Sequence, residues 1–583
     1  MAPLEVADLS ALDTHRADDW AGVVVCAASY AVLRQALCLL PSFGAARHVT
    51  IYVEEAPSTV RRLGPRRLSY PKLAAATATD DATDGPPTQL SFDFVAPCSL
   101  HRVVADHVSF GAHPYSDVPA FSVRAVVEDA GATRWVAGDP TARTIANSGH
   151  TWFADNPDLL SYDVVVSTAG RCPPVDVQVV NPGGFRTDTE GDPATVVATN
   201  PHLLAVHRGE RRLMDIDLRR GLSSAQVAKL RYVPYVDLSP IGSLDPVAAA
   251  GLVAQFAAAA VPMLCGRLPD AVRELLEPSL VREVESVDAA MLAVSEHREA
   301  AALRVRRPAL AHHSVEAALA DFAGGPRPKP TVSALLVTRR TEFLPHALAA
   351  LRAQTHGALE VVVALHGVAA PPGLDAELSS FSSSLVLEEP ADAVFGAVLN
   401  RATQAAGGTF IAKVDDDDWY GPHHVEDMLT ALRWSGAQLV GALDEFVYLA
   451  ARDLTIRRHD FHRTEKGFGR VAGPTMVLRR DDLLAVGGWR AAPLAVDHSL
   501  IHNLRDAGAT IFRTHALGFV LCRHGRGHTW NPGDDAFIDT AVHQWQGFHP
   551  PAALGDPDAA TARLETVRRL AGVGQRPTGA NDS

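Results

Sequence analysis

The chain predicts an α/β protein of two domains, and three features carry that expectation. Short apolar, β-branched runs alternate with helix-like stretches through both halves, the pattern of strands joined by crossover helices. Ala323-Gly324-Gly325-Pro326-Arg327-Pro328-Lys329-Pro330 interrupts this pattern, because a glycine pair followed by alternate prolines stops a helix and keeps the chain extended. At 583 residues the chain is also too long for one ordinary core. The expected divisions are 1–325, 326–545 and a tail, 546–583, that is partly disordered.

In the N-terminal half, residues 22–26 and 49–53 read as buried strands flanking a helix-like 30–40. Further strands are expected at 162–167, 177–180, 195–198 and 232–236. Asp245 suits a helix N-cap with Pro246 at the first helical position, so 245–260 reads as a helix, and 268–276 as another. A parallel sheet follows from this alternation, and the late segment gives the half a Rossmann-like look. Residues 58–88, rich in Arg, Thr, Ala and Pro, read as a mobile insertion. No GxGxxG or Walker lysine follows the first strand, and Asn181-Pro182-Gly183-Gly184 reads as a turn more readily than as a phosphate cradle.

In the C-terminal half, strands are expected at 331–338, 359–365, 409–414, 438–443, 445–449 and 474–478. Helices are expected at 344–354, where Leu344, Leu348 and Leu351 keep helical spacing, and at 394–406 and 423–434. The third strand runs into Asp415-Asp416-Asp417-Asp418 and then Trp419-Tyr420-Gly421-Pro422. Four adjacent carboxylates repel one another, and a fold gathers them mainly where a cation neutralises them. Hard divalent ions take oxygen ligands, commonly one or two carboxylates plus substrate phosphates. A strand delivering acids at its C-terminal end puts them where open α/β sheets bind ligands.

Bulk properties exclude several classes. A net charge of -14 argues against a nucleic-acid partner, whose phosphates would be repelled. The six cysteines are scattered without a CxxC pair, so neither a disulfide framework nor a zinc site is expected. Residues 1–20 carry no basic and apolar leader, and the longest apolar run, 251–265, is broken by Gln255 and Pro262. A cytoplasmic protein is expected, with peripheral membrane contact left open.

Several motifs then coincide. Val332-Ser333-Ala334-Leu335-Leu336-Val337-Thr338, Phe343-Leu344, Gln354-Thr355 and Leu359-Glu360-Val361-Val362-Val363 resemble the opening of family 2 glycosyltransferases with the GT-A fold. Asn400-Arg401-Ala402, Gly407 and the aspartate run resemble that family's approach to its DxD motif. Leu478-Arg479-Arg480, Gly487-Gly488-Trp489, Val496-Asp497 and 504–509 resemble the segment carrying the catalytic base. The resemblance covers 331–530 and leaves the N-terminal half outside it.

It implies a GT-A domain with a mixed sheet, a nucleotide-sugar donor, Mn²⁺ or Mg²⁺, and a glycan or lipid-linked hydroxyl acceptor. In the matching register Asp415 contacts the nucleotide ribose, Asp417 binds the metal, and Asp418 orients the turn or the donor sugar. Asp416 is the least important donor-side member. Thr338 and Arg339, ending the first strand, are expected on the donor. Asp497 is the expected base, which makes the displacement inverting, with a helix N-cap as its alternative role. The acidic neighbour usual before it is Val496 here. His524 or His528, in the turn 522–530, is expected on the metal, and Arg523 or Arg526 on the diphosphate. His423-His424 is expected to start a helix and stay solvated. Where relatives end the second strand in Asp-Asp-Gly, this chain has Leu365-His366-Gly367, so His366 replaces the usual base contact and leaves the nucleotide open.

Two other classes compete. A non-catalytic nucleotide-sugar-binding scaffold fits Val496 and His366, and the intact acidic run opposes it. A sugar nucleotidyltransferase needs a glycine-rich loop after the first strand, where Thr338-Arg339-Arg340 offers none. For the N-terminal half, acceptor positioning, oligomer formation and a second transferase-like unit all remain open.

Overall fold

The computed structural model describes residues 191–218, 221–222, 224–314, 329–435, 437–458, 470–506, 511–524 and 532–551, with shorter pieces at 4–5, 20–29, 45–55, 73–79, 89–100, 103–104, 125–126, 143–144, 164–165, 172–175, 317, 466–467 and 509. The architecture is mixed α/β with several mixed sheets. The chain divides into two compact units, Met1–Pro328 and Lys329–Ser583.

In the first unit, one five-stranded sheet begins with parallel pairs, Trp20–Ser29 beside Ala45–Glu55, then turns antiparallel through Gln89–Ser99 and Leu73–Thr79. A second sheet pairs Arg211–Asp217, Leu203–Arg208 and Ala194–Asn200 antiparallel, then adds Val236–Asp237 and Met263–Leu264 in parallel. The all-parallel sheet expected here is thus mixed, because tight antiparallel pairings replace helical crossovers. Leu73–Thr79 lies within the segment expected to be an insertion and is an ordinary paired strand. Pro246–Ala258 is a helix whose first turn is held by Asp245 Oδ1, which accepts from the amides of Val247 at 3.0 Å and Ala248 at 3.1 Å. The Asn181–Gly184 turn lies outside the described residues.

The second unit is built on an eight-stranded sheet with a five-stranded sheet beside it in the chain's second half. In chain order its leading elements are β1 (Val332–Thr338), α1 (Leu344–Arg352), β2 (Leu359–His366), β3 (Ser383–Glu389), α2 (Phe395–Ala405), β4 (Phe410–Val414), β5 (Trp419–Tyr420) and α3 (His424–Ser435). There follow β6 (Leu439–Gly441), β7 (Phe446–Leu449), β8 (Leu454–Arg458), β9 (Lys466–Gly467), β10 (Val477–Arg479), α4 (Val496–Asp506), β11 (Ile511–Arg513), β12 (Phe519–Arg523) and β13 (Ala541–Gln546). The main sheet runs β3-β2-β1-β4-β10-β6-β11-β9. Its first four strands are parallel, and β10 joins β4 antiparallel. A second sheet, β5-β12-β7-β8-β13, flanks it.

Pleating splits the core in two. Ala334, Leu336, Val361, Val363, Ala412 and Val414 face α1 and α3, with Leu344, Leu348, Val425 and Leu429 packed on them. Leu335, Val362, Ala364 and Ile411 face the other way, against Val398 and Ala402 of α2 and Leu500 and Leu504 of α4. Strand order reverses between β1 and β4, which leaves a crevice at their C-terminal ends, where such sheets take ligands. β13 and the residues beyond it also pack: His549 N donates to Thr455 Oγ1 at 2.8 Å, past the expected boundary at 545. Among the described residues no helix is long and apolar enough to cross a membrane.

Candidate active site

The crevice between β1 and β4 collects the acidic run. Its four aspartates do four different things. Asp416 points at the end of β1, where Thr338 Oγ1 donates to its Oδ2 and Arg340 grips it in an ion pair. Burial pushes its carboxyl up to about 6, Asp417 adds to the rise, and Arg340 opposes it. Asp418 is buried and accepts the Cys522 amide of β12 at 2.9 Å, while its own carbonyl contacts His346 Nε2 at 3.0 Å. Burial, then Asp417 and Asp415, push the Asp418 carboxyl well above the usual range. Asp418 thereby ties the acidic turn to the second sheet.

Asp417 Oδ2 lies 2.7 Å from His524 Nε2, at the end of β12, and 3.0 Å from Arg340 Nη2. Asp415 is the most exposed of the four, at 39%, and takes Lys413 Nζ at 2.7 Å. Its amide and the Tyr420 hydroxyl are 2.9 Å apart, and that hydroxyl donates to the Pro474 carbonyl at 3.0 Å.

Lys413 was not anticipated. In β4 it alternates with Ala412 and Val414, so it shares a face with Ile411 and points toward α4. There its ammonium, 3% exposed, sits 2.7 Å from Asp415 Oδ1 and 3.9 Å from Asp497 Oδ1. Burial works against its charge, but Asp415 and Asp497 outweigh burial and hold it protonated well above the usual lysine range.

Asp497 lies in the first turn of α4, just past Ala495, whose φ of 57° turns the chain into the helix. Burial raises its carboxyl above the ordinary value, Lys413 opposes this, and Asp415 adds to it. Its Oδ1 has no hydrogen-bond donor among the described residues. Its Oδ2 lies against Gly473, where any Cβ would collide with the carboxylate. Val496, in place of an acidic neighbour, is 2% exposed in the α2–α4 core, a position that disfavours a charge. The Gly487-Gly488-Trp489 turn that leads here is clasped to α2: Asn400 Nδ2 donates to the Trp489 carbonyl at 2.7 Å and Asn400 Oδ1 accepts its amide at 2.8 Å. Gly488, at φ 74°, leaves room for that asparagine.

The remaining expected residues are placed as follows. His366 ends β2, where its Nε2 lies 2.8 Å from the Ala393 carbonyl and 2.7 Å from Arg339 Nη2, and its Nδ1 accepts from Arg339 Nε at 3.1 Å. Burial lowers its pKa. Both ring nitrogens thus serve the protein, and the exposed Arg339 extends beyond them. Arg523 stacks over Phe537 at 5.6 Å; burial lowers its pKa, and Asp418, Asp417 and Asp534 oppose that. His528 and Arg526 lie outside the described residues. His424 is buried, not solvated: it packs edge-on to Tyr420 at 5.1 Å, and burial lowers its pKa to about 4.

Among the described residues no three His, Cys, Asp or Glu side chains form a closed metal cage. Asp417 and His524 do supply one oxygen and one nitrogen to a common point, a donor set that suits Mn²⁺ when phosphates complete the shell.

Comparison with known proteins bears on this half of the chain. Residues 335–466 match the model of glycosyl transferase family 2, and this segment is a family 2 glycosyltransferase domain within a longer chain. The match takes in Asp415–Asp418 and stops before Asp497 and His524. EpsH of Bacillus subtilis (strain 168), provisionally named a glycosyltransferase, is 34% identical over 102 residues, 17% of this chain and 30% of that protein. The chain therefore spans less than a third of that relative's length. Among solved structures, a mannosyltransferase from Pyrobaculum calidifontis, in complex with GDP-Man and Mn²⁺, is 15% identical at a TM-score of 0.27, covering 43% of this chain and 77% of its own. TarS of S. aureus is also 15% identical, with a TM-score of 0.26, covering 33% of this chain and 37% of its own.

Proposed function

We propose that the C-terminal unit is an inverting, metal-dependent glycosyltransferase that moves a sugar from a nucleotide-diphosphate donor to a hydroxyl acceptor in cell-surface glycan or glycoconjugate synthesis. One observation carries the reading: Lys413 links Asp415 to Asp497, so the acidic run and the candidate base, far apart in sequence, meet in one crevice. The Asp497 carboxylate, whose Oδ1 has no hydrogen-bond donor among the described residues, takes the acceptor's proton. The freed oxygen attacks the anomeric carbon as the bond to the diphosphate breaks, which inverts that centre. Asp415 receives the ribose, Thr338 and Arg339 flank the nucleotide, and Arg523 adds positive charge behind Asp417 and Asp418. Asp417 and His524 hold Mn²⁺ or Mg²⁺. When bound, the ion offsets the charge developing on the leaving diphosphate as a Lewis acid.

The test is hydrolysis of a panel of nucleotide sugars by the purified chain with Mn²⁺ or Mg²⁺. At least one donor is expected to be consumed, and chelator is expected to stop it. No donor bound or hydrolysed with either metal overturns the reading.

A further inference from the structure

Arg340 stands where none of the expected roles puts it. It follows β1 by two residues, and its guanidinium reaches into the aspartate run, ion-paired with Asp416 and 3.0 Å from Asp417 Oδ2. Its Nη1 lies 2.8 Å from His524 Nε2. Phe343 fixes the arrangement from beneath, with its ring 4.8 Å from the Arg340 guanidinium carbon and stacked on His524 at 5.1 Å.

Guanidinium has no acceptor, so Arg340 Nη1 asks His524 Nε2 for a lone pair, while the Asp417 carboxylate oxygen 2.7 Å from the same nitrogen asks it for a proton. One ring nitrogen cannot satisfy both, and Arg340 places a positive charge beside both groups. Burial disfavours that charge, yet Asp417 and Asp416 outweigh burial and hold it.

Resting on the transferase reading, we infer that Arg340 is a resident cation that occupies the Asp417–His524 pair in the donor-free protein and yields it to the metal only when a donor diphosphate arrives. The exchange balances charge. A divalent ion alone has to displace a guanidinium that Asp416 also retains. A nucleoside diphosphate brings anionic oxygens of its own, and Arg340 can turn to those while the ion takes Asp417 and His524. Metal and nucleotide then bind cooperatively, each strengthening the other by the same factor.

The measurement is Mn²⁺ affinity of the full chain, by calorimetry and by the free-ion paramagnetic resonance signal, alone and with UDP, GDP or ADP. Wild type is expected to bind Mn²⁺ at least about tenfold more tightly with a nucleoside diphosphate than without, a coupling of ordinary size. R340Q is expected to bind Mn²⁺ more tightly than wild type in the absence of nucleotide, and to lose most of the cooperativity. R340K, which keeps the charge but lacks the planar fork, falls between them. Should R340Q fail to fold by circular dichroism, R340K decides. Nucleotide-free Mn²⁺ affinity in the folded variant equal to wild type overturns the inference, while donor hydrolysis by wild type leaves the transferase reading standing. A wild type that binds Mn²⁺ neither alone nor with any of the three nucleotides overturns both.

Discussion

The two ends of the acidic run differ in what surrounds them, and the difference separates two kinds of chemistry. At Asp415 the neighbours are Lys413 and, through it, Asp497, whose Oδ1 has no donor among the described residues. At Asp417 they are Arg340 and His524, which converge on one oxygen. One end balances a carboxylate against a lysine and leaves a second carboxylate open to a proton. The other gathers a carboxylate and an imidazole around a cation. On the proposed reading, residues two apart in sequence border the proton-accepting carboxylate on one side and the cation site on the other.

Removing the cation end is expected to have the largest effect. D417N should cut transfer by about 10³-fold, since a lost metal interaction is worth several kcal/mol and each ~1.36 kcal/mol is tenfold. Mn²⁺-dependent nucleotide binding should fall with it, measured by calorimetry. At the proton end, G473A should push a methyl into Asp497 and displace the carboxylate. A displacement of about 1 Å is enough for a loss of about 10²-fold, seen in kcat with little change in donor affinity. If G473A weakens donor binding as much as turnover, the separation of the two ends fails.

Lys413 connects the ends, so its removal tests both. Burial holds Asp497 above the ordinary aspartate range, so the base is protonated at acid pH and transfer should rise with pH through a limb above ~3.9. Lys413 opposes that rise; K413M should therefore move the limb further up, read from a pH–rate profile. It also leaves two partly exposed carboxylates, Asp415 and Asp497, without their cation, at a cost below the ~3–5 kcal/mol of a fully buried pair in urea denaturation. A limb that stays in place sinks the coupling.

Much of this was legible in the sequence. The apolar runs of β1, β2 and β4 and the spacing of Leu344, Leu348 and Leu351 marked the elements, since one face of each is buried. The acidic run stood out as charged residues ending an apolar run, whereas Asp497 was marked only by the resemblance of the segment around Gly487-Gly488-Trp489. Lys413 and Arg340 did not. A lysine in a strand and the second of two arginines after one are ordinary until pleat and register assign their direction, and both depend on non-local pairing. β8 and β13 were missed for a related reason: their alternation is weak, with β13 largely exposed, and their partners come from distant parts of the chain. His424 was misplaced because the fold caps that helix start with Tyr420 and Phe519. In the N-terminal unit, periodicity gave strands but not their direction, and direction is what distinguishes a mixed sheet from a parallel one.

The central claim is that Asp497 accepts the proton at a site whose donor-holding end is separate. It is tested most directly by measuring turnover and donor affinity together in D497N, with a donor identified by hydrolysis. Turnover should fall by about 10²–10⁴-fold, the usual worth of a positioned base, while Mn²⁺-dependent donor binding stays within about twofold of wild type. Unchanged turnover, or a loss of binding as large as the loss of turnover, would contradict it.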